Sequence, residues 1–366
     1  MRRMMYYEEK KGETMGKKYV AYVGTYTEGN EEKGLYIFDV DLENGTLILR
    51  DAIVEQNPAH LCISHNKQNL YVTSDLGVIA YRILPDGGLE ELNRRWIGGI
   101  RGCYLSTDSA DRHLFIAGFY DGRVTSMCLE ADGRVGEIAD AVFHKGVGKT
   151  VGRRNISPHV NCVTLTPDEK YLCAVDNGLD CVKVYDFDAV SGKINMVDII
   201  HLPLEAAPRH MIFSEDGKFA YIISELLSEI EVYAYADLGD VPSFERIQSI
   251  SSKGPEDLGA SAGSEIMLSP DNRFLVCSNA GLNSASMYAR NMESGLLTYL
   301  GCGRVGGQYP KTFAIFPDGE HLASLNYDSN EITFFHFIME HSGFLECARP
   351  VSIQNPNSIA LVEIEE

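Results

Sequence analysis

One unit recurs along this chain: a short apolar strand, a turn rich in Asp, Asn, Pro or Gly, and a second apolar strand. It reads APRHMIFSEDGKFAYIISEL from Ala207 to Leu226. Related stretches begin at Asn57 (NPAHLCISHNKQNLYVTSDLG), Ile100 (IRGCYLSTDSADRHLFIAGFYDG), Ser157 (SPHVNCVTLTPDEKYLCAVDNGLD), Ala262 (AGSEIMLSPDNRFLVCSNAGL) and Tyr309 (YPKTFAIFPDGEHLASLNYDS). A third strand follows, as in VKVYDFD from Val182 and IEVYAYA from Ile230. A turn then leads to a fourth, as in SGKINMVDII from Ser191 and ESGLLTYLG from Glu293. Aligned on the second strand, the repeats fall at Tyr22, Tyr71, Phe115, Cys173, Tyr221, Val276 and Ala323, 44 to 58 residues apart. Four strands in about 50 residues is the size of a β-propeller blade, and no helix-length run of 3.6-residue periodicity interrupts them.

The first repeat has no first strand of its own, because VAYVGTY from Val20 already matches strand two. NPNSIALVEI, from Asn355 to Ile364, matches the missing strand. Pairing the chain's two ends closes blade one and leaves no open sheet edge. The expectation is an all-β, seven-bladed propeller over residues 19–366, behind a polar leader over residues 1–18 in which Met15 is a candidate start. That leader lacks the apolar stretch of a secretory signal, and no window approaches the ~18 apolar residues of a spanning helix. Nine cysteines without metal-ligand spacing, several inside apolar strands, read as reduced thiols and imply a cytoplasmic protein.

Folding the 207–226 unit about Asp216 sets residue 209 opposite 223 and residue 225 opposite 207. Arg209 and Glu225 then become diagonal neighbours at one end of the hairpin. First strands line the channel of a propeller, so that end faces the channel mouth. Three columns converge there. One holds Ala59, Arg101, Asn161, Arg209, Ser264, Lys311 and Asn357; the next holds His60, Gly102, Cys162, His210, Glu265, Thr312 and Ser358. The ends of the second strands contribute Tyr26, Asp75, Phe119, Asn177, Glu225, Ala280 and Tyr327.

Arg101, Arg209 and Lys311 gather in this one place on a chain with 52 acidic and 32 basic residues. A guanidinium fork suits carboxylate or phosphate, so the mouth reads as a pocket for a small anionic metabolite. Asp75 and Glu265 are the acids able to pair with those bases. The net charge of −20 argues against a nucleic-acid footprint and against an anionic membrane surface. No CxxC pair or HExxH is present, so neither a metal nor a cofactor is expected. The insert HKGVGKTVGRRN, His144 to Asn155, lacks phosphate-loop spacing and reads either as a flap over the mouth or as a solvated loop.

SPHVNCVTLTPDEKYLCAVDNGLDCVKVYD, APRHMIFSEDGKFAYIISELLSEIEVY, GSEIMLSPDNRFLVCSNAG, YVGTYTEGNEEKGLYIFDVD and PKTFAIFPDG together resemble the lactonase family of seven-bladed propellers. That family includes bacterial 6-phosphogluconolactonase and the fungal carboxymuconate lactonizing enzyme, and the resemblance spans residues 19–363. It implies hydrolysis of a sugar lactone with an anionic arm, a phosphosugar or a carboxylated lactone, without a cofactor. In the family the proposed site is a His on the fourth blade's first strand, the Arg of PRH, the Glu of NEL and an Arg in SNRG. Here the PRH Arg is Arg209 and the Glu is Glu225. The usual SPHVH reads SPHVN, which keeps His159 and puts Asn161 at the column position; SNRG reads SNAG, with Ala280 in place of Arg. On that template Arg209 is the electrophile and Glu225 the base, while Arg101 and Lys311 grip phosphate or carboxylate. His159, His210 and His60 are the imidazoles available to act where Asn161 cannot. Two other readings stay open. Asn161 and Ala280 favour a non-catalytic propeller that binds an anionic metabolite or a protein partner; the third reading is a lyase or cycloisomerase acting on a carboxylated lactone.

Overall fold

The computed structural model describes residues 17–27, 33–148, 157–239, 241–257, 259–338 and 343–364. Residues 1–16 of the polar leader and most of the 144–155 insert lie outside these residues, while Lys18, placed in the leader, opens the first strand. Seven four-stranded antiparallel sheets are arranged as blades. In blade five the strands Pro208–Phe213, Phe219–Ser224, Glu229–Asp237 and Pro242–Ser251 pair in chain order from the channel outward. Blade one is completed across the termini, where Pro356–Ile364 pairs with Lys18–Thr25 from Lys18↔Ile364 to Thr25↔Pro356. The first strands of successive blades touch one another in a closed ring, which makes the channel. Among the described residues the one helix is the short 3-10 turn Ala280–Leu282. None is long and apolar enough to cross a membrane.

The inner turns repeat one device. In blade five the Ser214 hydroxyl donates to Asp216 Oδ1 at 2.6 Å and accepts from the Phe219 N–H at 3.0 Å. Gly217 supplies the left-handed residue, with φ of 72°. Ser64–Asn66, Thr166–Asp168 and Ser269–Asp271 make the same side-chain bond in their blades. The second strands are the most buried: Asn69–Ser74, His113–Gly118, Tyr171–Asp176 and Phe219–Ser224 are covered along their whole length. Each has blades on both faces, which is why it reads as a continuous apolar run rather than an alternation. Outer strands such as Thr46–Val54 and Leu89–Arg95 are mostly open.

The core is divided into layers between neighbouring blades. Ala21, Val23 and Phe38 of blade one pack on Ala323, Leu325 and Phe334 of blade seven, which seals the ring where the chain's ends meet. Full burial of side chains of this size is worth about 1.5–3 kcal/mol each.

A second recurring device sets the entry to the inner strands. Ala207, Tyr309 and Asn355, each just before a proline, hold left-handed φ values of 48°, 57° and 43°. Such a conformation costs a side-chain-bearing residue roughly 1–2 kcal/mol. In each case a carbonyl or carboxylate oxygen from the preceding blade caps the residue's N–H: Asp180 Oδ1 to Ala207 at 2.8 Å, Asn283 Oδ1 to Tyr309 at 2.9 Å, and Asn330 Oδ1 to Asn355 at 2.8 Å. The blades are thereby indexed to one another at the end of the channel where the first strands begin.

Candidate active site

At that end lies a cavity of about 510 Å³ whose lining includes Asn161, Arg209, Glu225, Glu265 and Lys311. The inner hairpins do not keep one register up to it. His210, not Arg209, faces Ile223, and Pro208 faces Ser224, so Arg209 is an extra residue in the ladder. The expected pairing of 209 with 223 is therefore corrected by one residue, while Glu225 still meets Ala207 through an N–H···O bond of 2.9 Å. The same insertion falls at Asn161, at Ser264–Glu265, at Lys311 and at Asn357. A bulge re-aims the side chain it carries, and Asn161, Arg209, Ser264, Lys311 and Asn357 all line the cavity. In blades two and three the ladder begins only at Leu61 and Tyr104. The column residues there, Ala59 and Arg101, are not part of the lining.

Arg209 Nη1 donates to Glu225 Oε2 at 3.0 Å, each side chain 17% exposed. Asn177 Nδ2 reaches the same Oε2 at 3.4 Å. Both contacts fall on one carboxylate oxygen, and Oε1 carries none among the described residues. Lys311 Nζ lies 5.9 Å from the Tyr309 ring centre and 5.7 Å from that of Tyr327. Its enclosed position, and then the Arg209 guanidinium, push its amine down to about 7.

The second column builds the cavity's other wall. His210 Nδ1 contacts Glu265 Oε1, and His210 Nε2 lies 2.9 Å from the Tyr104 hydroxyl. Thr312 Oγ1 donates to Glu265 Oε2 at 2.8 Å. Burial raises the Glu265 carboxyl, but the His210 imidazole and the Thr312 hydroxyl outweigh it and hold the acid below its usual range. Burial holds the Tyr104 phenol protonated. The tautomer that satisfies both contacts therefore has Nδ1–H donating to Glu265 and Nε2 accepting from Tyr104. His60 packs against Tyr104 with ring centres 4.2 Å apart and planes tilted by 34°, and its Nδ1 accepts the Leu105 N–H at 3.1 Å. Burial pushes His60 down to about 3, leaving a neutral and weakly basic ring. Cys103 is likewise pushed up to about 12 by burial and stays a thiol.

Two expected members of the site stand elsewhere. His159 donates from Nδ1 to the Phe119 carbonyl at 2.8 Å, stacks on the Phe119 ring at 4.5 Å, and meets Ser157 Oγ at 3.2 Å through Nε2. It braces blade four against blade three and does not line the cavity. Arg101 is claimed by Asp75 at 2.9 Å and by the Tyr120 hydroxyl at 3.2 Å, with the Tyr26 ring 4.9 Å away. The convergence of three bases is thus a convergence of two, Arg209 and Lys311. Ala280 is buried in its 3-10 turn. His144, the first residue of the insert, is buried against Asp176 at 2.6 Å and Tyr185 at 2.9 Å, so it anchors the segment's start rather than covering the mouth. Reasoning from sequence missed Tyr104, Ile212 and Met267 in the lining. They sit two residues beyond Gly102, His210 and Glu265, and carrying the period-2 alternation one step deeper would have found them.

Each of the nine cysteines is a free thiol. Among the described residues no group of three or more His, Cys, Asp or Glu is placed to hold a metal ion.

A family model described as lactonase, 7-bladed beta-propeller, matches residues 20–361. The chain is 28% identical over 345 residues to a 6-phosphogluconolactonase of Bacillus subtilis (strain 168), covering 93% of this chain and 97% of that protein. A solved structure of a putative 6-phosphogluconolactonase from Bacteroides fragilis superposes with a TM-score of 0.85 at 27% identity, covering 95% of this chain and 99% of the other. The periplasmic gluconolactonase of Pseudomonas aeruginosa superposes with a TM-score of 0.86 at 26% identity, covering 94% and 99%.

Proposed function

Because the chain belongs to the lactonase family of seven-bladed β-propellers, we propose that it hydrolyses a sugar lactone with an anionic arm in the channel-mouth cavity. The observation that carries this reading is the Arg209–Glu225 pair, half-buried in the lining, with Glu225 Oε1 uncommitted among the described residues. A water held at Oε1 attacks the lactone carbonyl carbon while Glu225 takes its proton. Arg209 spends Nη1 on Glu225 and keeps further N–H donors for the carbonyl oxygen as it becomes an oxyanion. The ring C–O bond then breaks, and the proton held by Glu225 passes to the departing ring oxygen. The product is the open hydroxy acid.

Glu225 is better placed than any imidazole. His210 has both ring nitrogens engaged, His60 is too weak a base, and His159 is outside the cavity. Asn161 in the lining supplies an amide that orients a substrate hydroxyl without moving a proton. A cytoplasmic location accords with the nine free thiols.

The test is a pH-stat assay of purified protein with δ-gluconolactone, its 6-phosphate and a carboxylated lactone, each against its spontaneous hydrolysis. Acid release above the spontaneous rate supports the reading. Saturable binding without any rate moves the protein to the binding-only reading that Asn161 and Ala280 favour.

A further inference from the structure

We infer that Lys311 is the ligand's charge partner, and that the cavity takes a sugar ring carrying one negative charge, a carboxylate arm, in preference to a dianionic phosphate ester. The inference rests on the proposed lactonase reading for the kind of ring the ligand carries, and goes beyond it in naming the arm.

Arg209 is already matched by Glu225 at 3.0 Å. Glu265 is held by His210 and by the Thr312 hydroxyl, and it brings a negative charge that an incoming anion must tolerate. Arg101, the third base of the column, is matched by Asp75 and stands outside the lining. Of these three bases Lys311 alone has no carboxylate at ion-pair distance among the described residues; its amine lies to one side of the Tyr309 and Tyr327 rings, 5.9 Å and 5.7 Å from their centres. The groups acting on it are Arg209 and Glu225 from blade five, Cys103 from blade three, and Asp328 beside its own strand. Burial, and then Arg209, oppose its charge, and Glu225, Cys103 and Asp328 do not restore it, so its amine falls to about 7. One carboxylate completes this set: it gives Lys311 the partner it lacks and draws the amine back to its protonated form. A phosphate ester is largely a dianion at neutral pH. Among the described residues its second charge would find no unmatched cation in the lining, in an enclosed space that already holds the Glu225 and Glu265 carboxylates.

The experiment uses the whole protein and three hexopyranoses that share a ring and cannot be hydrolysed as lactones: glucose, glucuronate and glucose 6-phosphate. Calorimetric titration at pH 7 is expected to show glucuronate binding about fivefold or more tighter than either of the others. At pH 8, titrations in two buffers of different ionisation enthalpy should show proton uptake with glucuronate. Lys311→Met should bring glucuronate down to the glucose level and abolish the uptake. Lys311→Arg, which keeps a permanent cation, should retain glucuronate affinity with no uptake; its binding also guards against a misfolded Met variant. The inference is overturned if glucose 6-phosphate binds as tightly as glucuronate, if Lys311→Met leaves glucuronate affinity unchanged, or if none of the three binds at tens of millimolar. A protein that hydrolyses lactones yet shows no glucuronate preference loses this inference alone. One that prefers glucuronate but never exceeds the spontaneous lactone rate loses the proposed function alone.

Discussion

Lys311 shows how a single side chain carries a measurable cost. Its amine titrates at about 7 in the folded chain and at the ordinary lysine value of 10.5 when unfolded. Between those values the unfolded state holds the extra proton, so stability climbs with pH across that window. Below about 7 both states are protonated and the whole cost of the enclosed charge is present. Lys311→Met should therefore raise the melting temperature by a few degrees at pH 6, with the gain shrinking to nothing above about pH 10. Differential scanning fluorimetry across that range checks it; a gain independent of pH would mean that the methionine acts through packing rather than charge. The neighbouring Arg209 carries no such dependence, because its guanidinium stays charged throughout the range.

The elements that aim these side chains are bulged strand entries and the caps that hold them. Asp180 is buried and accepts the Ala207 N–H at 2.8 Å and the Glu205 N–H at 3.0 Å, fixing the strained residue two positions before Arg209. Asp180→Ala leaves both donors without their partner and should cost about 1–3 kcal/mol. Because Arg209 follows with only Pro208 between, the same variant should lose lactone turnover by more than its global stability explains. Thermal melts read alongside kcat and KM check this, and an unchanged kcat would show that Arg209 is aimed by its own strand alone. This is also where sequence and structure part. Blade number and ring closure are legible because short apolar runs and Asp- or Gly-bearing turns are local signals, as in SEDGKF at Ser214. The columns kept Asn161, Arg209 and Lys311 together because blades four, five and seven carry the bulge at the same place, so alignment absorbed an insertion it could not see. Arg101 broke the column because blade three has no ladder there, and its partner Asp75 comes from blade two. His159 was drawn away by a carbonyl at Phe119, from another blade, through a contact that no spacing within its own repeat encodes.

At the scale of the molecule, the ring is one closed circuit of blade contacts, and the strand Pro356–Ile364 closes it. Ending the chain after residue 354 removes that strand, bares the edge of Lys18–Thr25, and takes away one wall of the cavity at Asn357. Such a truncation should aggregate or elute as oligomers in size-exclusion chromatography; a monomer with the full-length melting curve would show that closure is dispensable. Closure matters for chemistry because the cavity draws its walls from several blades, and only the intact ring brings Glu225 and Arg209 of blade five to Lys311 of blade seven. The most direct measurement is lactone hydrolysis by the wild-type protein beside Glu225→Gln, at matched fold and ligand affinity. Wild type should exceed the spontaneous rate, and Glu225→Gln should lose about 10²–10⁴-fold in kcat with KM little changed. A Glu225→Gln protein that turns over lactone at the wild-type rate would contradict the assignment of this cavity as the place where the reaction occurs.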